Sequence, residues 1–300
     1  MTSRRFLGTA LGCLAAAILA APAHADLSDN LGALTDANAK GYLGPLPDAL
    51  SATLNSGVFQ TGRVPKNTFN FSFGARVMGI HFSDDDRTYS PTAPPGFTPT
   101  ESVNAPTVIG DTHAVAQSGS GGTTLYHPGG FNLDNFAIAV PQVSVGSVFG
   151  TRAIVRWISV DLGDSQLGKL DYVGYGAQHS ISQYLPGFPV DLAAGFFAQT
   201  LKIGDDKLVK ADALHFDVTA SKRVSFLEPW ASLGWDSLNL DANYTSTSTP
   251  GEAIHVEFDK KTNAHLTLGA QALLGPARLS ASYDVAAQTG ATLGLAIGRY

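Results

Sequence analysis

His215 and Asp217 stand two residues apart in "LHFDVTAS", so on an extended chain they share a face and could serve as a base and its orienting carboxylate. A hydroxyl nucleophile is missing from that pair. Elsewhere His179 is followed directly by Ser180, which puts imidazole and hydroxyl on opposite faces of a strand, and His265 shares its face with Thr267 rather than with a serine. Nucleophilic catalysis needs the base within reach of the hydroxyl it activates. These spacings favour a polar pair over an active site, and the expectation is a protein that is not an enzyme. Asp84, Asp85 and Asp86, with Asp205 and Asp206, offer oxygen ligands of the kind a hard divalent cation takes, but they also read as solvated loop charges. The expectation is no metal and no cofactor.

The elements that carry these residues alternate with a period of two. In "FNFSFGARV", Phe69, Phe71, Phe73, Ala75 and Val77 fall on one face and Asn70, Ser72, Gly74 and Arg76 on the other. The same pattern recurs in "VDLAAGFFAQ", "LHFDVTAS" and "ARLSASYDVAAQ", several of these runs reaching the 9 to 11 residues or so that a tilted strand needs to cross a bilayer. Strands of soluble sandwiches are commonly about 5 to 6 residues long. The runs therefore predict a transmembrane β-barrel of about 10 to 12 antiparallel strands. Phe69, Phe71 and Phe73 are assigned to lipid. Arg76, Asp191, Gln199, Asp217, Arg278 and Asp284 share parity with small or polar neighbours and are assigned to the lumen. Tyr172, Tyr184, Trp230, Trp235 and Tyr244, near strand ends, are candidates for interfacial girdles.

Residues 1–25 carry Arg4 and Arg5, an apolar run from Phe6 to Ala21, and Ala23-His24-Ala25 as a small-x-small cleavage site. They read as a secretory signal peptide. Of the 19 basic residues, Arg4 and Arg5 lie in that segment, leaving 17 against 25 acidic ones and a net charge of −8. Such a balance argues against nucleic acid as a partner, because binding it requires clustered cations. The single cysteine, Cys13, is also in the leader, so no disulfide is expected.

Residues 26–57 have helical spacing, with Leu27, Leu31, Leu34 and Ala37 in one run and Leu46, Ala49, Leu50, Thr53 and Leu54 in a second that starts near Asp48 and stops at Gly57. Their apolar faces are too small to form a core alone, which predicts a plug docked in the barrel mouth. Residues 83–141 are rich in Pro, Gly, Ser and Thr and are assigned to long loops within a barrel domain of residues 58–300. Tight turns around Gly275-Pro276 and Gly290 contrast with the polar stretch from Asn243 to His265, the asymmetry expected of periplasmic and external connections.

The chain ends "GATLGLAIGRY", which resembles the terminal strand of bacterial outer-membrane barrels, with Tyr300 where that family usually has Phe. The segments "NFSFGARVMGIHFSDDDRTY", "APTVIGD", "YGAQHSISQYLPGFPVDLAAGFF" and "ASKRVSFLEPWASLGW" carry a wider resemblance. Together the chain looks like a family of uncharacterised bacterial outer-membrane β-barrel proteins distantly similar to the long-chain fatty-acid transporters. That resemblance implies an outer-membrane barrel in contact with outer-membrane lipids, read by the barrel assembly machinery through its C-terminal strand, and passage of small, hydrophobic molecules. A structural or adhesive envelope protein that binds a partner through its long loops is the alternative.

Overall fold

The computed structural model describes residues 27–161, 168–204, 208–247 and 251–299. The leader, Asp205, Asp206 and Tyr300 lie outside the described residues, and with them the expectations that rest on them. Three short helices come first: α1 (Leu27–Gly32), α2 (Asp36–Tyr42) and α3 (Leu46–Asn55). The first helical run is broken in two, because the Gly32 carbonyl accepts from the Thr247 backbone N–H (2.8 Å) and hydroxyl (3.0 Å) rather than from the next turn.

Ten strands then close on themselves: β1 (Asn70–His81), β6 (Asn135–Val148), β7 (Thr151–Asp161), β8 (Lys169–Ser180), β9 (Asp191–Ile203), β10 (Val209–Ser221), β11 (Leu227–Thr245), β13 (Lys261–Leu274), β14 (Ala277–Val285) and β15 (Thr289–Arg299). Every neighbouring pair is antiparallel, and β1 pairs with β15 from Phe71↔Arg299 to Ile80↔Gly290, which closes the sheet into a barrel. The short β12 (Ala253–Glu257) extends the β11 side of the wall just before β13.

The wall is inside out relative to a soluble protein. Phe71 (48% exposed), Trp157 (44%) and Leu293 (62%) stand on the outer surface, while Arg156 and Asp236 (both 0%) are enclosed. A continuous apolar belt of this extent is rare on a water-soluble monomer, and no helix among the described residues is long and apolar enough to cross a membrane. Three of the five proposed girdle aromatics turn inward: Tyr172, Trp230 and Tyr244 are 2%, 4% and 6% exposed, whereas Tyr184 and Trp235 are on the surface. Residue parity within each strand, not closeness to its end, decides which face a side chain takes.

At one end the connections are short, as at Gly275-Pro276; the other end carries the long connection from Phe82 to Asp134. That connection folds into two hairpins, β2 (Thr88–Tyr89) with β3 (Ala105–Pro106) and β4 (Val115–Ser118) with β5 (Thr124–His127). The loop-rich stretch stops at residue 134 rather than 141, since β6 already runs through Pro141, which faces Ala75. The tight turn expected at Gly290 falls at residues 286–288 instead, at the same end as the long loop, with Gly290 inside β15.

The ladder between β6 and β7 is short. It runs from Val148↔Thr151 through a bulge to Gln142↔Arg156, and above that point neither Asn135–Pro141 nor Trp157–Asp161 continues it among the described residues. Pro141, which has no N–H to donate, sits at the fork.

Candidate functional site

The lumen is occupied. Helix α3 touches β1, β6, β10, β11, β13 and β15, strands on several sides of the barrel, which places it inside the wall. The chain then continues from Ser56 to Arg63 through the lumen toward the short-turn end before entering β1. The segment held inside the barrel thus extends past Gly57, because the polar wall below offers partners to its extended backbone.

Upper and lower halves are built differently. Near the loop end, Leu31, Leu43, Leu50 and Leu54 pack against Met78, Ile80, Ile138, Val140, Leu201, Leu238 and Leu240 of the inner wall, all at most 5% exposed. Each fully buried leucine contributes about 1.5–3 kcal/mol, so this face favours docking strongly. The long loop closes over it: the Val108 N–H donates to the Tyr42 carbonyl (2.8 Å), Asn38 exchanges two hydrogen bonds with Thr92, and the Tyr42 hydroxyl donates to the Gly129 carbonyl (3.1 Å). Burial pushes the Tyr89 phenol, beneath which Gly41 passes without room for a Cβ, up to about 12. On the loop surface, hydrogen bonds from the His113 backbone and ring hold the Asp111 carboxyl below its ordinary range.

The lower half is polar. Arg156, wholly buried on β7, donates to the carbonyls of Leu54 (3.4 Å) and Ser56 (3.1 Å) and to Gln142 Oε1 (2.8 Å), with its guanidinium 5.5 Å from the centre of the Phe197 ring. It therefore caps the C-terminal end of α3, where a cation and a donor are both favoured. Tyr172 donates to Gln199 Oε1 (2.6 Å), and Gln199 donates in turn to Asn55 Oδ1 (2.6 Å). Further down, Gln178 donates to the Thr61 carbonyl (3.1 Å), the Ser221 hydroxyl accepts from the Gly62 N–H (2.9 Å), and Thr61 donates to Glu228.

The close fit at Gly62 is testable. A Cβ there would lie 2.2 Å from the Asp191 carbonyl oxygen and 2.7 Å from that of Thr219. Gly62→Ala is expected to push the segment off the wall and lower stability by about 1–3 kcal/mol, read as a shift of the urea midpoint of barrel unfolding. An unchanged midpoint would contradict the tight seating.

The residues assigned to the lumen by sequence are distributed along the inner wall. Gln199 takes part in the latch, and Asp217 and Asp284 lie in a buried polar group beside it. Arg76 and Arg278 line a small polar cavity between residues 58–61 and β14. Asp191, half-buried, stands at the short-turn end near Arg63 and Glu228. Phe69, Phe71 and Phe73 lie on the outer surface, Phe69 just ahead of β1. His215 and Asp217 are not each other's partners: His215 bonds Asp236, and Asp217 accepts from Thr219. Asp84–Asp86 form a turn in which Asp86 accepts from Ser83. The sequence reading passed over Arg156 and Tyr172 as lumen residues. Alternation in "TRAIVRWISVD" puts Arg152, Ile154, Arg156 and Ile158 on one face, a signal for an inward arginine that was available.

These features define a closed antiparallel β-barrel, apolar outside, with its own N-terminal segment threaded through a half-apolar, half-polar lumen. The family model DUF6588, a family of unknown function, matches residues 4–299, and the chain belongs to that family. No curated protein matches the chain. Among solved structures it is similar to the beta domain of the Bordetella autotransporter BrkA, at 13% identity over 77% of this chain and 98% of that one, with a TM-score of 0.32. It is also similar to the Ralstonia pickettii toluene transporter TbuX, at 10% identity over 80% and 90% of the two chains, with a TM-score of 0.29. A BenF-like porin from Pseudomonas fluorescens Pf-5 matches at 9% identity over 77% and 97%, with a TM-score of 0.18.

Proposed function

We propose that this protein is a gated barrel of the outer membrane, through which small molecules pass when residues 46–63 leave the lumen. The observation that carries the reading is the latch: a wall arginine caps the helix that fills the lumen, Gln199 holds its last residue, and Gln142 and Gln178 hold the extended segment beneath it. Two opposing forces make such a plug displaceable. Leucine burial holds it in, while dehydration of the Arg156 charge, which takes part in no ion pair among the described residues, costs several kcal/mol and favours its release. The apolar upper lumen and the short β6–β7 ladder beside it favour small hydrophobic cargo over ions or sugars.

The test is uptake of a small apolar fluorophore and of a sugar of similar size into proteoliposomes. Faster entry of the apolar solute through the folded barrel is the expected result. Equal exclusion of both, by the wild type and by a plug-free variant, would overturn the transport reading and favour partner binding through the loop of residues 82–134.

The outer belt is proposed to meet hydrocarbon. Phe73→Arg is then expected to lower the stability of the barrel in lipid vesicles by about 2–4 kcal/mol if residue 73 lies near the midplane. The check is equilibrium unfolding in urea, and an unchanged transition would place Phe73 outside the hydrocarbon.

A further inference from the structure

Five ionisable side chains meet on one patch of the inner wall, apart from the latch that holds the plug. His215 and Asp217 come from β10, Asp236 from β11, His265 from β13 and Asp284 from β14, each at most 5% exposed. The registers bring them together, His215 opposite Asp236 and Gly234 opposite both Asp217 and His265. His215 Nδ1 lies 2.6 Å from one oxygen of Asp236, and His265 Nδ1 lies 2.7 Å from the other. These three donor groups offer ligand atoms within 4.8 Å of one another. His265 Nε2 is 3.3 Å from Asp284, whose carboxylate also accepts from Thr267 (2.7 Å), Thr292 (3.2 Å) and Ser282 (3.3 Å).

A polar network that served only its own satisfaction would leave no donor or acceptor over, since a buried unpaired oxygen costs about 1–3 kcal/mol. Two details go beyond such a network. Asp217 Oδ1 is buried without a hydrogen bond of ordinary geometry, although Thr219 reaches the other oxygen and Ser232 stands near the carboxylate. Gly234 lies between Asp217 and His215: a Cβ there would fall 2.8 Å from His215 Cε1 and 3.4 Å from Asp217 Cβ, so the wall is cut away where the groups converge.

We propose that this patch is a binding site for a divalent transition-metal ion, held by Nδ1 of His215, Nδ1 of His265 and the carboxylate of Asp236. Asp217 supplies a further oxygen from the neighbouring position on β10. Asp284 grips His265 through its other nitrogen, the carboxylate–histidine–metal arrangement that fixes the tautomer and ring orientation of a ligand. Two imidazoles with carboxylate suit Zn²⁺ and its first-row neighbours rather than Mg²⁺ or Ca²⁺, which prefer all-oxygen shells. An ion here ties three consecutive wall strands together. Phe59 of the lumen segment stacks on His215 with ring centres 6.0 Å apart, so the site lies under the plug.

The experiment refolds the mature chain in detergent with Co²⁺ or Zn²⁺, removes free ion, and counts bound metal by elemental mass spectrometry. Heat-modifiable gel migration certifies the folded barrel. One equivalent of either ion per folded wild-type barrel, with ligand-field absorption from bound Co²⁺, is the expected result. Asp284→Asn is expected to weaken binding about 10–100-fold. The double variant His215→Gln, His265→Gln is expected to lose the ion. A folded wild type that retains no metal overturns the proposal, and so does a folded double variant that retains as much as the wild type. If the double variant does not fold, the decision passes to the wild-type Co²⁺ spectrum: ligand-field bands that disappear when Zn²⁺ is added support the site, and their absence overturns it.

Discussion

Deleting Asp26 to Gly57 behind the intact leader is expected to yield a barrel that still migrates differently before and after boiling but conducts more in planar bilayers than the full chain does. The deletion removes α1–α3 and the leucines packed against Met78, Ile80, Leu238 and Leu240. The wall keeps its own pairing, since all ten barrel strands hydrogen-bond to one another without the helices. Its upper lumen becomes a wet apolar surface, so lower stability accompanies the higher conductance. A gentler version leaves the plug in place and ties it. A Cβ at Gly57 would stand 3.3 Å from Thr292 Cβ, near the separation that a disulfide spans. Gly57→Cys with Thr292→Cys, in a chain of residues 26–300, which holds no other cysteine, is expected to abolish spontaneous openings when oxidised and to recover them on reduction. The positive φ of Gly57 makes the cysteine there cost about 1–2 kcal/mol, which the reduced control absorbs. Unchanged conductance in both the deletion and the oxidised pair would remove the plug from the gating account.

The second large effect is expected at Arg156. Arg156→Ala takes away both hydrogen bonds to the end of α3, which one guanidinium nitrogen donates, and the partner of Gln142 Oε1, leaving the Leu54 and Ser56 carbonyls in a dry lumen. The loss of about 2 kcal/mol from the docked state raises the open population by roughly 30-fold. Single-channel recording of the folded variant should therefore show longer or more frequent openings. The contrary force is the relief of burying a guanidinium without an ion pair, which removal of the charge also provides. Arg156→Met removes the cavity that alanine leaves, since it keeps most of the volume while losing the same charge and donors. If Arg156→Met opens as often as Arg156→Ala, the polar interactions of Arg156 and not its volume govern the gate. A variant that closes more firmly than the wild type would reverse the assigned role and make Arg156 the element that drives opening.

The strands were legible because a barrel wall has one apolar and one polar side, and a period of two survives in any window of nine residues. "FNFSFGARV" puts Phe71 with Phe73, and "LHFDVTAS" puts His215 with Asp217, before any fold is known. The same alternation in "TRAIVRWISVD" holds the signal for the inward arginine that the sequence reading passed over. The helical spacing of residues 46–54 was equally plain, because amphipathic periodicity is local. The break at Gly32 was not, since its carbonyl is claimed by Thr247, more than two hundred residues away.

What the sequence determined by itself was therefore which residues share a face and which segments are extended or helical; these depend on backbone geometry over a few residues. Only the tertiary structure decided that ten strands close, that residues 46–63 run through the enclosed space, and that Arg156 meets the end of α3. The same holds for the histidine–aspartate patch. His215, Asp236, His265 and Asp284 come from four strands and meet through register alone, and register is fixed by pairings between residues as distant in the chain as Leu227 and Ala272, which no local pattern encodes.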